Sequence, residues 1–313
     1  MQTVAVVLEQ PEQLALRNIE LTDAGADDII VDVEWSGIST GTERLLWSGR
    51  MPTFPGMGYP LVPGYETVGR VARSANRDGL CEGDLVFIPG ANCFRDVRGL
   101  FGGAASRLVV PSQRAVRLDR EIGDNAILIA LAATAYHAIE GKHATAPELI
   151  VGHGVLGRLL ARITVALGKP APVVWERNPL RRDGAEGYTV VDPETDPRRD
   201  YNVICDASGD GTLLDTMISR LAKQGEIVLA GFYEQPLSFA FPPAFMREAR
   251  IRIAAEWAKP DIEAVTQLVV AGSLSLDGLI TNHAEAEYAK EAYRTAFTDP
   301  ACLKMVLDWR HDA

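Results

Sequence analysis

The segment that most constrains the fold is Glu148-Leu-Ile-Val-Gly-His-Gly-Val-Leu-Gly-Arg158, near the middle of the chain. An apolar run ends in Gly152-x-Gly154-x-x-Gly157, and an apolar helical pattern from Leu159 to Leu167 follows. A second apolar run, Pro172-Val-Val-Trp175, ends in Glu176, nineteen residues after the third glycine. Strand, glycine turn, helix, strand and acid in this order make a dinucleotide-binding unit. Gly152 permits the tight turn, Gly154 lets a pyrophosphate approach the backbone, and Gly157 lets the helix pack closely on the strand. The backbone from Gly152 through His153, Gly154, Val155 and Leu156 to Gly157 is therefore expected to hold the phosphates, helped by the helix N-terminus. Glu176 is placed to bind both ribose hydroxyls, which favours NAD. Arg177 beside it could pair with a 2′-phosphate, but Glu176 would repel one, so NAD is the expected cofactor. A glycine-rich turn without a ligand is the plain alternative.

A chain of 313 residues has room for two domains. No apolar run reaches the roughly 18 residues that span a bilayer, and the first residues lack the basic segment and apolar stretch of a secretory signal. A cytoplasmic location is the default expectation. A net charge of −11 argues against a nucleic-acid surface. Four cysteines, Cys81, Cys93, Cys205 and Cys302, are scattered and form no Cys-x-x-Cys pair, so neither a disulfide framework nor a zinc ribbon is indicated.

Residues 3–8 and 29–35 read as strands, a loop rich in glycine and proline covers 37–64, and short strands follow at 67–72, 85–88 and 105–111. These suggest a small β-rich domain. From Asp124 the texture changes. Helix 125–139 leads into strand 148–151, helix 155–168, strand 172–176, strand 201–206, helix 212–222 and strand 226–230, which predicts an α/β fold with a doubly wound parallel sheet. Segments 262–271 and 284–297 read as helices, and 302–309 as a closing strand. The expected division is 1–123 with 270–313 for the β-rich catalytic domain and 124–269 for the nucleotide domain.

Ser36-Gly-Ile-Ser39, Pro63-Gly-Tyr-Glu-Thr-Val-Gly-Arg-Val71, Gly83-Asp-Leu-Val86, Gly102-Gly-Ala-Ala-Ser106 and Thr134-Ala-Tyr-His137 make the chain resemble the medium-chain dehydrogenase/reductase superfamily along essentially its whole length. The resemblance implies a GroES-like catalytic domain joined to a Rossmann domain. Where zinc alcohol dehydrogenases of that superfamily have Cys and His ligands, this chain has Ser39 and Tyr65. The third ligand position falls near Ala130, and only Glu66 remains of the catalytic set. The lobe that holds a four-cysteine zinc in those relatives retains only Cys93. Ser, Tyr and Ala are poor zinc ligands, so a metal-free enzyme is expected. Within the superfamily, the segment 36–44 and the Val-Pro-Gly-Tyr-Glu run at 62–66 are similar to the bacteriochlorophyllide dehydrogenases. Those enzymes oxidise a 3-(1-hydroxyethyl) group on the tetrapyrrole to acetyl during bacteriochlorophyll biosynthesis.

The resemblance places Ser39, Tyr65, Glu66 and His137 in segments that line the active cleft of relatives. With no metal to acidify the alcohol, protein groups must take or relay its proton, and Ser39 with Tyr65 is the preferred pair. Thr40 and Thr42 are candidates for hydrogen bonds to substrate or nicotinamide. Each has a plainer reading: Tyr65 fills the hole of a metal and bonds Ser39, Glu66 is a buried acid paired with an arginine, His137 is a satisfied helix histidine, and His153 faces solvent. Trp47, Met51, Phe54, Met57 and Tyr59 offer an apolar wall for a flat macrocycle, with Arg44 or Arg50 pairing its propionate; the alternative is that they pack the loop onto its own domain. Asp206, Ala207, Ser208 and Gly231, after two predicted strands, are expected beside the ribose and nicotinamide. A quinone or enone reductase of the same superfamily, or a non-catalytic nucleotide-binding scaffold, are the competing functions. Pairing of two copies through the Rossmann sheet, along Ile227–Phe232, is a further expectation. So is transient membrane contact for a poorly soluble pigment, although no membrane-spanning segment or basic amphipathic helix is evident.

Overall fold

A computed structural model describes residues 1–53, 55–74, 79–118 and 122–311. The chain starts as a hairpin, β1 (Gln2–Gln10) with β2 (Gln13–Glu20). The apolar run Ala5–Leu8 is wholly buried, a stretch stiffened by β-branched valines that suits a strand facing a core. Then come β3 (Asp28–Ile38), helix α1 (Thr42–Trp47), β4 (Leu61–Val62), β5 (Thr67–Arg73), β6 (Leu85–Ile88), β7 (Arg98–Gly99), β8 (Arg107–Pro111) and β9 (Val116–Arg117). The segment 37–64, expected as one loop, thus carries a short helix and a strand. Leu45 and Leu46 of α1 are buried, and that contact holds a helix too short to form alone.

The middle of the chain alternates helix and strand: α2 (Ile129–Glu140), β10 (Leu149–Val151), α3 (Val155–Ala166), β11 (Val173–Trp175), β12 (Thr189–Val191), β13 (Tyr201–Asp206), α4 (Leu214–Arg220), β14 (Leu221–Leu229), α5 (Phe241–Arg247), β15 (Arg250–Ile253) and α6 (Lys259–Val270). Six strands form one parallel sheet in the order β12-β11-β10-β13-β14-β15. The order reverses between β10 and β13, and in such sheets ligands bind outside the strand ends at that switch. Sequence reading missed β12 and β15. Both are sheet edges, short and only partly buried, so they lack the apolar run that marks a central strand.

The chain then adds β16 (Asn282–Glu285), α7 (Ala289–Thr298) and β17 (Met305–Asp308) to the β-rich part. Residues 284–297, expected to be helical throughout, begin as β16 because Asn282–Glu285 pairs with β17. In turn β17 runs antiparallel to β3, with Met305 opposite Ile38. The sheet reads β16-β17-β3-β5-β6-β9, with β8 also paired to β3. A second sheet, β2-β1-β4-β7, lies in the same unit.

By its contacts the chain divides into Met1–Ala130 with Leu279–Ala313, and Leu131–Gly278. These boundaries fall later than 123/124 and 269/270. Residues Gly123–Leu128 form a 3-10 turn packed on β3 and β5 of the first unit. At the other boundary, the buried Arg162 of α3 donates to the carbonyls of Ser275 and Asp277, which keeps that segment with the second unit. Among the described residues no helix is long and apolar enough to cross a membrane.

Candidate active site

In the first unit, β3 and β5 run antiparallel with Ser36 opposite Thr67, and the Gly37 N–H donates to the Glu66 carbonyl. The residues just beyond this register, Ser39 and Tyr65, therefore meet. Ser39 Oγ lies 2.8 Å from the Tyr65 hydroxyl, and Thr42 also hydrogen-bonds that hydroxyl. The half-buried Tyr65 ring packs edge-on against Phe101 at 5.4 Å. Loss of solvent around the phenol, reinforced by the charge of Glu66, pushes its pKa far above the ordinary tyrosine range. Tyr65 thus keeps its proton. Thr40 is half-exposed beside the pair.

Glu66 is fully buried and ion-paired with Lys304, not with an arginine. Lys304 Nζ is 2.6 and 2.9 Å from the two carboxylate oxygens and 3.3 Å from the Ile38 carbonyl. Pairing of β17 with β3 brings Lys304 there, just outside the strand end. Both Glu66 oxygens are engaged, so it is no free proton acceptor.

A second buried acid lies beside the first, and sequence reading passed over it. Glu43, on the first turn of α1, is wholly buried. It accepts the Ser39 backbone N–H at 3.1 Å and the Tyr293 hydroxyl of α7 at 2.6 Å. Burial raises its pKa from 4.5 to about 7; the two hydrogen bonds oppose that rise, and the nearby Glu66 charge adds to it. Its position in the Thr42-Glu43 start of a helix looks like an ordinary acidic first turn, so nothing local marked it out.

Of the apolar wall, Trp47, Met51, Met57 and Tyr59 pack onto the cluster of Leu8, Leu46, Leu61 and Leu100. Trp47 also meets the Phe297 ring at 5.6 Å, and the Tyr59 hydroxyl donates to the Leu46 carbonyl. These contacts match the alternative reading, in which the side chains secure the loop to its own unit. Arg44 and Arg50 are exposed. Phe54 lies outside the described residues.

In the second unit the glycine turn joins β10 to α3. Gly152 has φ +98°, a left-handed conformation that favours glycine. A Cβ on Gly157 would stand 1.9 Å from the Gly152 carbonyl oxygen, whereas one on Gly154 would meet open space. Helix α3 starts at Gly154 with no side-chain cap, leaving its first N–H groups to a ligand. Val155 is buried and Leu156 half-buried on that first turn. Glu176, just past β11, accepts the His153 N–H at 3.1 Å and the Asn178 N–H at 2.8 Å, which orients its carboxylate beside the turn. Arg177 is exposed.

Three side chains expected at the cofactor or in catalysis are held by protein partners. The His153 side chain is fully buried, with Nδ1 2.6 Å from the Arg181 carbonyl and Nε2 2.8 Å from the Tyr188 hydroxyl. Burial lowers its pKa to about 4, so it is a neutral support for the turn rather than a phosphate contact. Asp206 is also fully buried, accepting from Ser208 N–H and Oγ and from Tyr233. Its carboxylate braces the loops after β13 and β14, where Ala207, Ser208 and Gly231 present backbone. A Cβ on Gly231 would come 2.8 Å from Gly209 N, so those loops touch. His137, on α2, belongs to this second unit, its Nδ1 2.8 Å from Asp261 Oδ2. It is a satisfied helix histidine.

Among the described residues no group of three His, Cys, Asp or Glu side chains converges as a metal site. Instead the Ser39 and Tyr65 hydroxyls bond each other, and Glu66 is ion-paired with Lys304.

The alcohol dehydrogenase GroES-like domain family matches residues 25–120. Acetophenone reductase from Geotrichum candidum, solved with NAD, superposes with a TM-score of 0.84 at 17% identity, covering 98% of this chain and 97% of that one. The fold is therefore that of the medium-chain alcohol dehydrogenases, a GroES-like unit with a Rossmann sheet. The 2-desacetyl-2-hydroxyethyl bacteriochlorophyllide A dehydrogenase of Rhodobacter capsulatus is 58% identical over 99% of both chains. Its counterpart from Cereibacter sphaeroides is 56% identical over 100% of both. At this identity over full length, the chain belongs to the family of the 2-desacetyl-2-hydroxyethyl bacteriochlorophyllide A dehydrogenases.

Proposed function

We propose that the protein oxidises the 3-(1-hydroxyethyl) group of a bacteriochlorophyllide to acetyl, with NAD as hydride acceptor and without a metal ion. The observation that carries the substrate is the identity of 58% over 99% of the chain to a dehydrogenase named for that pigment.

The second unit fits a dinucleotide: the uncapped start of α3, the open space at Gly154 and the acid Glu176 offer phosphate and ribose contacts. When bound, the nicotinamide supplies the hydride acceptor. Glu176 favours NAD by accepting from ribose hydroxyls and repelling a 2′-phosphate.

The residues of the first unit do not fit zinc, so the alcohol proton is handled by hydroxyls. Ser39 and Tyr65 hold the substrate hydroxyl and relay its proton. Tyr65 stays neutral, acting as donor and acceptor in that chain rather than as a stored phenolate. The substrate lightens the demand, because a carbinol attached to a conjugated macrocycle delocalises the positive charge that develops as hydride leaves. Exposed Arg44 is placed to pair the pigment's propionate, and Arg50, which donates to Ser48, lies on the same segment.

Two copies of the chain are proposed to pair along β15, not along Ile227–Phe232, since β14 already has strands on both sides. Ile253, 74% exposed on that edge, and Phe241, Phe245 and Met246 of the neighbouring α5 give it an apolar border.

The test is incubation of the purified protein with NAD and 3-(1-hydroxyethyl) bacteriochlorophyllide a, following pigment spectrum and reduced-cofactor absorbance together. Equimolar acetyl pigment and NADH, insensitive to chelator, is the expected result. Activity lost to chelator and restored by zinc would overturn the metal-free reading.

A further inference from the structure

Glu43 is a wholly buried acid that the reading above does not use. It lies four residues after Ser39, and α1 brings its carboxylate back to the turn that follows β3. One oxygen accepts the Ser39 backbone N–H at 3.1 Å; the other accepts the Tyr293 hydroxyl at 2.6 Å. Tyr293 is itself buried on α7, with its ring edge-on to Phe297 at 5.6 Å. A continuous line of hydrogen bonds and backbone thus runs from α7 through Glu43 to Ser39, whose Oγ meets Tyr65 at 2.8 Å.

We propose that Glu43 is a positioning residue for alcohol oxidation: clamped by Tyr293, it fixes the Ser39 backbone and so aims the Ser39 hydroxyl at Tyr65 and the substrate hydroxyl. The inference rests on the reading of Ser39 and Tyr65 as the proton-handling pair. Leaving a carboxyl in so dry a place opposes folding unless its oxygens are used, and here both are used to hold one catalytic turn.

The charged and titratable groups around Glu43 make its role readable by pH. Tyr293 faces it from α7, Tyr65 and Glu66 from the segment entering β5, and Lys304 from the segment entering β17. Burial and the Glu66 charge raise its pKa to about 7, whereas Tyr293, the Ser39 N–H and Lys304 pull it down. An ionised carboxylate accepts the Ser39 N–H more strongly than a neutral one. Alignment of Ser39 therefore tightens as pH rises through about 7.

The test compares the full chain with E43Q, E43L, Y293F and S39A, measuring kcat, KM and their pH profiles with NAD and the hydroxyethyl pigment. The wild type is expected to show a kcat limb rising through about pH 7. E43Q, which still offers a carbonyl to Ser39 N–H, removes that limb while keeping kcat within about fivefold. E43L lowers kcat by about a hundredfold, the order associated with a misplaced proton-handling group, with KM for NAD unchanged. Y293F moves the limb to higher pH, since a bond that lowers the acid's pKa is lost; a packing role would leave the limb in place. Infrared difference titration of wild type against E43Q reads the same carboxyl without turnover, and its absence near neutral pH would count against the proposal. S39A slow but E43L as fast as wild type would overturn the positioning role alone. S39A as fast as wild type would remove the Ser39–Tyr65 reading and this inference with it.

Discussion

Substituting Lys304 by methionine isolates the largest electrostatic debt in the first unit. The lysine is 2% exposed and its partner Glu66 is fully buried, so water cannot replace the lost ammonium. K304M keeps most of the aliphatic volume and removes contacts of 2.6 and 2.9 Å to the carboxylate and 3.3 Å to the Ile38 carbonyl. Breaking a buried pair from one side costs about 3–5 kcal/mol, because an uncompensated charge remains. With a urea slope of roughly 2–3 kcal/mol/M, the unfolding midpoint should fall by about 1–2.5 M. Trp309 lies in the same unit, wholly buried, with its indole N–H donating to Ser36 at 2.8 Å, and its fluorescence reports this transition. The double variant E66M/K304M leaves no charge behind and should regain all but about 1–2 kcal/mol. A K304M cost under about 1 kcal/mol, or a double variant less stable than the single, would refute the reasoning.

Four further outcomes follow from the same geometry. G157A should weaken NADH binding by at least tenfold in a fluorescence titration, since the added Cβ would stand 1.9 Å from the Gly152 carbonyl oxygen; undiminished affinity would contradict the tight-turn reading. E176A should lose about tenfold in NAD affinity, the order of one charge-assisted hydrogen bond, while NADP binding improves; parallel losses of both would remove Glu176 as the selecting acid. W47A should lower stability by about 2–4 kcal/mol through loss of its packing and leave KM for the pigment nearly unmoved; a selective rise in KM would restore Trp47 as a substrate wall. Glu43 gives a pH dependence of stability. Its folded pKa of about 7 lies above the ordinary 4.5, so its contribution is full below pH 4.5 and is lost as pH rises through about 7. The loss is on the order of 3 kcal/mol, seen as a falling urea midpoint that E43Q should flatten.

The second unit was legible from its residues because its signals are local. Gly152-x-Gly154-x-x-Gly157, the following amphipathic run and Glu176 lie within thirty residues, and each answers a constraint of one turn, one helix or one strand end. Central strands such as Tyr201–Asp206 were equally readable, since burial on both faces demands continuous apolar residues. The edge strands Thr189–Val191 and Arg250–Ile253 were not, because pairing on one side only leaves their composition ordinary.

The sequence by itself determined the fold class and the order of the two units. Tertiary structure alone decided which acids are engaged and by what. Glu66 meets Lys304 across 238 residues, and Glu43 meets Tyr293 across 250. Those partners arrive only when the C-terminal strand Met305–Asp308 pairs with β3 and α7 packs beside it. Spacing along the chain carries information about neighbours on the same element. A buried carboxyl is satisfied by whatever donor the fold delivers from far away, and no local pattern announces that donor.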